Sequence, residues 1–163
     1  ALHVAMEAQV DTAAAARRAL RFSRRVVIKV GTPVITHMDG NIALSRIGAL
    51  VEQIALLRQE GRDVVIVTSG AIGTGSMRMR KSLTLASSMQ DSLNSPALAV
   101  DKNGAAAVGQ SLLMSMYETL LSKYNLSCAQ VLLTESDIND ADVVAGVCDT
   151  VSELLQLGPP PVV

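Results

Sequence analysis

Two short β-branched runs, Arg25–Val30 (RVVIKV) and Asp63–Thr68 (DVVIVT), flank one segment of helical periodicity, and the second run leads straight into a glycine-rich turn. This arrangement constrains the fold more than any other feature of the chain. Nearly continuous apolar runs of this length suit strands buried between layers, and a helix between two of them implies a parallel βαβ unit with a right-handed crossover. The first run is bounded by Gly31 and reads as a central strand covered on both faces. Between the runs, Leu44, Ile47, Leu50, Val51, Ile54 and Leu57 recur at helical spacing, and Gly61 sits where a helix commonly ends. The turn after the second run, Ser69-Gly70-Ala71-Ile72-Gly73-Thr74-Gly75, opens another helical stretch.

Further along, periodicity fades from about Lys81 to Asn103, where Ser, Asn, Asp and Pro96 accumulate and a mobile excursion is expected. Helical character resumes from about Gly104 to Lys123, with Val108, Leu112, Tyr117, Leu120 and Leu121 as the expected buried residues. Gln130–Thr134 (QVLLT) reads as a third strand and Asp140–Leu157 as a helix. Pro161-Val162-Val163 reads as the start of a strand with no room to continue, so the sheet is expected to be cut off in mid-element. The fold class that follows is α/β, a doubly wound parallel sheet sandwiched by helices and truncated at its C-terminus.

At 163 residues the chain is long enough for one domain with a core, and its apolar content, 49% hydrophobic but only 2% aromatic, suits an α/β interior. Fourteen basic against 15 acidic residues leave a formal charge of −1. No global field draws such a chain to nucleic acid or anionic lipid, so a small-molecule ligand is expected. No apolar run reaches the roughly 18 residues of a membrane span. Cys128 and Cys148 lack metal-ligand spacing and read as buried thiols in a reducing compartment. Residues 1–24 carry Arg17, Arg18, Arg21 and Arg24 and faintly resemble an organelle transit peptide, but Glu7 and Asp11 favour a helical extension capped by Asp11. Cytoplasm is the default compartment, with a mitochondrial location second to it.

Three constellations could carry chemistry. Lys29-Val30-Gly31-Thr32 ends the first strand, at the carboxyl edge where open α/β sheets bind ligands. There a lysine can place charge against a transferring phosphoryl group, Gly31 permits close backbone approach and Thr32 offers a hydroxyl. A snorkelling surface lysine is the competing reading. Ser69 to Gly75 ends the second strand; its small residues expose backbone amides to an anion, or alternatively serve close packing. Ala105-Ala106-Ala107-Val108-Gly109-Gln110 lets a helix lie close to the sheet or to another chain, and packing is the simpler explanation. Walker A, GxGxxG and GxSxG patterns are absent. The acids Glu135, Asp137, Asp140 and Asp142 read as a solvated loop and helix start, not a metal site.

VVIKVGT, LLRQEG, VVIVTSGAIGTG, AAAVGQSLLMSMYETL and QVLLTESD occur in this order between Arg25 and about Asp140. Together they resemble the amino acid kinase family, most closely its glutamate 5-kinase branch and the kinase half of bifunctional Δ1-pyrroline-5-carboxylate synthases. The resemblance implies ATP-dependent phosphorylation of the γ-carboxylate of L-glutamate, with ATP and Mg²⁺ required, and a homo-oligomer. It implies a catalytic, phosphate-binding Lys29, with Gly31 and Thr32 along the phosphate path, and glutamate binding by Ser69, Gly70 and Ala71. Gly146 and Val144 depart from the asparagine and aromatic residue usual in the family, whose remaining glutamate motifs and nucleotide-binding half would lie beyond Val163. Two other readings stay open: another amino acid kinase, acting on N-acetylglutamate or aspartate, and a non-catalytic glutamate-binding or regulatory relative.

Overall fold

The computed structural model describes residues 17–19, 21–86 and 101–163. In chain order these form β1 (Arg25–Val30), α1 (Thr32–Ile35), α2 (Leu44–Gln59), β2 (Asp63–Thr68), α3 (Ala71–Ala86), α4 (Lys102–Ser122), β3 (Ala129–Gln130), α5 (Glu135–Ile138), α6 (Ala141–Leu157) and β4 (Pro161–Val162). The four strands make one parallel sheet in the order β1-β2-β4-β3, flanked by helices. β1 and β2 run in register from Arg25 opposite Asp63 to Val30 opposite Thr68, so their carboxyl ends finish level. That alignment positions the site described below.

The last residues enter the middle of the sheet. Val163 donates its amide to Ile66 and accepts from Thr68, both at 2.7 Å, while Val131 donates to Val162 at 2.9 Å. One face of the sheet carries the core, in which Val30, Val64, Ile66 and Val162 meet Ile47, Val51 and Ile54 of α2 and Leu113, Tyr117 and Leu121 of α4. Gly61, at φ +76°, ends α2 as expected: its amide bonds Arg58 and that of Arg62 bonds Leu57, the double closure of a Schellman motif. Arg58 then ties this corner together, donating to the carbonyls of Arg62 and Gly158, each at 2.9 Å.

Several sequence expectations need correction. β1 is not covered on both faces among the described residues: Arg25, Val27 and Lys29 are exposed, and only the Val26, Ile28 and Val30 face turns inward. Its apolar run hid a period-two alternation, since Val27 lies on the open side and is 62% exposed. The third strand is Ala129–Gln130, not Gln130–Thr134: its pairing with β4 closes with the Val131 amide on Val162, and Thr134, though still extended, serves as the cap of α5. α3 continues past Lys81 to Ala86, and α4 begins at Lys102 with Asp101 as its cap. The remainder of the expected excursion, residues 87–100, lies outside the described residues, as does the proposed Asp11 cap. In α4 the buried stripe is Ala105, Gly109, Leu113, Tyr117 and Leu121; Val108 is exposed and Leu112 and Leu120 are half-buried. Neither cysteine is fully buried, Cys148 being exposed and Cys128 intermediate.

The acidic segment is resolved in favour of helix caps. Thr134 and Asp137 form a reciprocal capping box on α5, and Asp140 accepts from the amides of Asp142 and Val143 at the start of α6.

Candidate active site

The level ends of β1 and β2 bring two loops side by side. After Val30 the chain turns at Gly31 into α1, where Pro33 supplies a pre-set φ in the first turn. After Thr68 it passes Ser69 and then Gly70, whose φ of +100° admits glycine and strains any other residue, before α3 begins at Ala71. The Ser69 amide and hydroxyl both donate to the Val30 carbonyl, at 3.0 and 3.2 Å. This double bond from one residue locks the second loop onto the first. Thr32 Oγ1 then lies 3.4 Å from Ser69 Oγ, so two exposed hydroxyls, one following each strand, stand together at the sheet's carboxyl edge.

Ala71, Ile72 and Gly73 open α3, and their amides have no carbonyl one turn earlier within the helix. The Thr32 hydroxyl, and the Ser69 hydroxyl once it turns from the Val30 carbonyl, add to them to make an edge of donors suited to an anion. Lys29 stands on β1 opposite Val67, on the strand's open face, and makes no ion pair or hydrogen bond among the described residues. The structure thus joins Gly31, Thr32, Ser69, Gly70 and Ala71 directly, while Lys29 is carried by the same strand on its exposed side.

The last glycine of the turn has a different task. A Cβ on Gly75 would fall on the Ala105 carbonyl, and one on Gly109 would fall on the carbonyl of Ala71. Gly75 and Gly109 therefore let α3 and α4 cross backbone to backbone, so the AAAVGQ segment lies against a helix within this chain. The contact reaches Ala71 itself and sets where α3 begins. A second support, not legible in the sequence, is the hydrogen bond of 3.0 Å between Thr68 Oγ1 and the phenol of Tyr117. It pins α4 to the residue just before Ser69, and burial pushes the Tyr117 pKa up while the Thr68 bond pulls it partly back.

Among the described residues no group of three or more His, Cys, Asp or Glu side chains is placed to hold a metal. No described helix is long and apolar enough to cross a membrane.

A parallel sheet whose first two strands end in facing, glycine-bearing loops fits the amino acid kinase family, whose model matches residues 24–163. The chain belongs to that family. Among relatives of this amino acid kinase family member, a glutamate 5-kinase of Symbiobacterium thermophilum is 46% identical over 147 residues, covering 90% of this chain and 52% of the relative. A glutamate 5-kinase of Moorella thermoacetica is 42% identical over 147 residues, 90% of this chain and 36% of the relative. A Δ1-pyrroline-5-carboxylate synthase of Solanum lycopersicum is 41% identical over 148 residues, 91% of this chain and 20% of the relative. The chain thus spans between about a fifth and about a half of the length of these relatives.

Proposed function

We propose that this amino acid kinase family member supplies the glutamate-proximal part of a glutamate 5-kinase, which transfers the γ-phosphoryl group of MgATP to the γ-carboxylate of L-glutamate in proline biosynthesis. The observation that carries this reading is the junction of the β1 and β2 loops, where Ser69 bonds Val30 and meets Thr32. In this reading Ser69, Gly70 and Ala71 hold glutamate, the backbone and hydroxyl donors fixing its carboxylate beside the phosphate path of Gly31 and Thr32. Lys29 places a positive charge against the phosphoryl group in flight. Phosphoryl transfer asks mainly for positioning and charge compensation, and these residues supply both. Mg²⁺ arrives with the phosphates of ATP, the usual mode for an ion that keeps much of its water. Residues 1–24 are an extension ahead of the kinase domain, the protein acts in the cytoplasm, and it assembles with copies of itself.

Glutamyl hydroxamate formation tests the reading, with ATP, Mg²⁺, L-glutamate and hydroxylamine supplied to the purified chain. The expected result is a product that requires all components and is lost in Lys29→Ala. Product undiminished in Lys29→Ala would overturn the role of that lysine. No product from a folded chain that also fails to bind glutamate would overturn the reading of the site.

A further inference from the structure

A second concavity begins at Thr74, one turn along α3 from Gly70, and runs from there toward Lys81. The segment after α1 folds back on itself as a hairpin, with Thr36 bridged to Ile42 and the His37 amide donating to Asn41. Its turn leans on α3: Gly40, at φ +79°, comes so near Met77 that an added Cβ would sit 3.2 Å from that side chain. Lys81 closes the other side by donating to Asn41 Oδ1 at 3.0 Å. A cavity of about 250 Å³ remains between hairpin and helix. Its floor is apolar, from Ile42, Met77 and Leu112, and its rim carries Arg78 and Lys81.

Among the described residues the charge at this rim is unbalanced. Asp39 is the nearest acid in the hairpin, and both its oxygens are taken by the amide and side chain of Asn41, at 3.0 and 2.8 Å. Among the described residues Lys81 donates to Asn41, and its ammonium has two further N–H groups. Arg78 makes no hydrogen bond or ion pair among the described residues. In the wall beside it, Thr74 is only 3% exposed and its hydroxyl has no partner among the described residues. None of Lys29, Thr32 or Ser69 lines this space.

We infer that this cavity is a binding site for a small carboxylate with a short aliphatic body, separate from the β1 and β2 loops. The planar Arg78 fork matches a single carboxylate, Lys81 adds a second positive charge, and the apolar floor takes the hydrocarbon. The volume suits a compact metabolite, being below the usual range for drug-sized ligands. One fork with one neighbouring ammonium, over a floor of three apolar side chains, favours an amphiphilic monocarboxylate over inorganic phosphate.

Titration calorimetry of the full chain at low ionic strength, with isovalerate as probe and its neutral isostere isovaleramide as control, tests the inference. Isovalerate should bind at least about tenfold more tightly than the amide, as expected for a charge-assisted fork. Arg78→Gln should remove that preference, and Lys81→Gln should reduce it. Both side chains are exposed, so these variants should keep the fold, and their unfolding midpoints verify it. Ser69→Ala should leave isovalerate affinity within about twofold. Equal affinity for acid and amide, or no binding of either, would overturn the inference. So would a preference that survives Arg78→Gln and disappears in Ser69→Ala, which would put the carboxylate at the strand loops instead. Because the readout is binding of a monocarboxylate away from Ser69, it stands or falls independently of the kinase reading.

Discussion

Ser69 donates twice to the Val30 carbonyl, through its amide at 3.0 Å and its hydroxyl at 3.2 Å. The amide bond continues the β1 and β2 ladder by one step, and the hydroxyl bond turns the side chain toward Thr32. A residue at the end of one strand is thereby oriented by the end of its neighbour. This is how two separate loops act as one surface.

Ser69→Ala should therefore separate stability from binding. Ser69 is exposed and its amide bond survives the change, so the loss of stability should not exceed about 1 kcal/mol in urea unfolding. On the kinase reading the hydroxyl proton turns from the Val30 carbonyl to the glutamate carboxylate, and such charged bonds are worth about 1.5–3 kcal/mol. Glutamate affinity should fall roughly 10- to 100-fold. Unchanged glutamate binding would remove Ser69 from the site.

The glycines of α3 and α4 should respond in opposite directions to the same substitution. Gly75→Ala and Gly109→Ala each drive a methyl into backbone of the facing helix, which cannot yield as a side-chain tip can. Destabilisation should reach or pass the upper end of the roughly 1–3 kcal/mol usual for overpacking. Gly73→Ala, two residues earlier on the other side of α3 with nothing within 4 Å of the added methyl, should instead gain up to about 1 kcal/mol from helix propensity. Denaturant midpoints of the three variants check the ranking. Equal effects at Gly73 and Gly75 would contradict the close crossing.

The same glycines show what the sequence could and could not disclose. β1, α2 and β2 were readable because their apolar residues have a clear period and Gly61 marks a stop, and the glycine turn announced α3. The partner of AAAVGQ was not readable: small residues permit close approach but do not say to what. Nor did RVVIKV reveal that Val27 faces outward, because alternation vanishes when the exposed position is itself apolar. QVLLT looked like a full strand because propensity is local, whereas Thr134 is claimed by the cap it makes with Asp137. The candidate residues beside the strand ends could be named from their place after each strand. The cross-loop bond of Ser69 to Val30 and the Thr68–Tyr117 pair depend on register and on α4's rotation, which only the folded chain supplies.

The capping box at α5 should be visible in an acid titration. The Thr134 hydroxyl and then the Thr134 amide, which reaches Asp137 Oδ2 at 2.7 Å, hold the Asp137 carboxyl below the usual aspartate range. A carboxylate of this kind supports the folded cap above its unfolded pKa of about 3.9, and that support is lost as pH falls through its lower folded value. Carboxyl-detected NMR should show Asp137 titrating below the usual range. Thr134→Val keeps the amide and removes the hydroxyl, so the value should move up without returning fully. No movement would mean that the hydroxyl does not contribute.

Tyr117 should give the opposite dependence at high pH. Its side chain is fully buried, and burial raises the phenol pKa more than the 3.0 Å bond to Thr68 lowers it. A neutral phenol is thus favoured inside, so its contribution to stability is complete below the unfolded value of about 10 and is lost as pH rises through the higher folded value. Replacing the chain's other tyrosine, Tyr124→Phe, leaves Tyr117 as the sole phenol for near-ultraviolet titration. Phenolate absorbance in the folded protein should then lag behind that of the urea-unfolded chain as pH is raised. Tyr117→Phe in the same background should cost about 1–2 kcal/mol at neutral pH, because Thr68 loses its partner, and should flatten the alkaline fall in stability. A phenol that titrates alike in folded and unfolded chains would mean that α4 does not seal this residue against β2, and the pin beneath Ser69 would have to be abandoned.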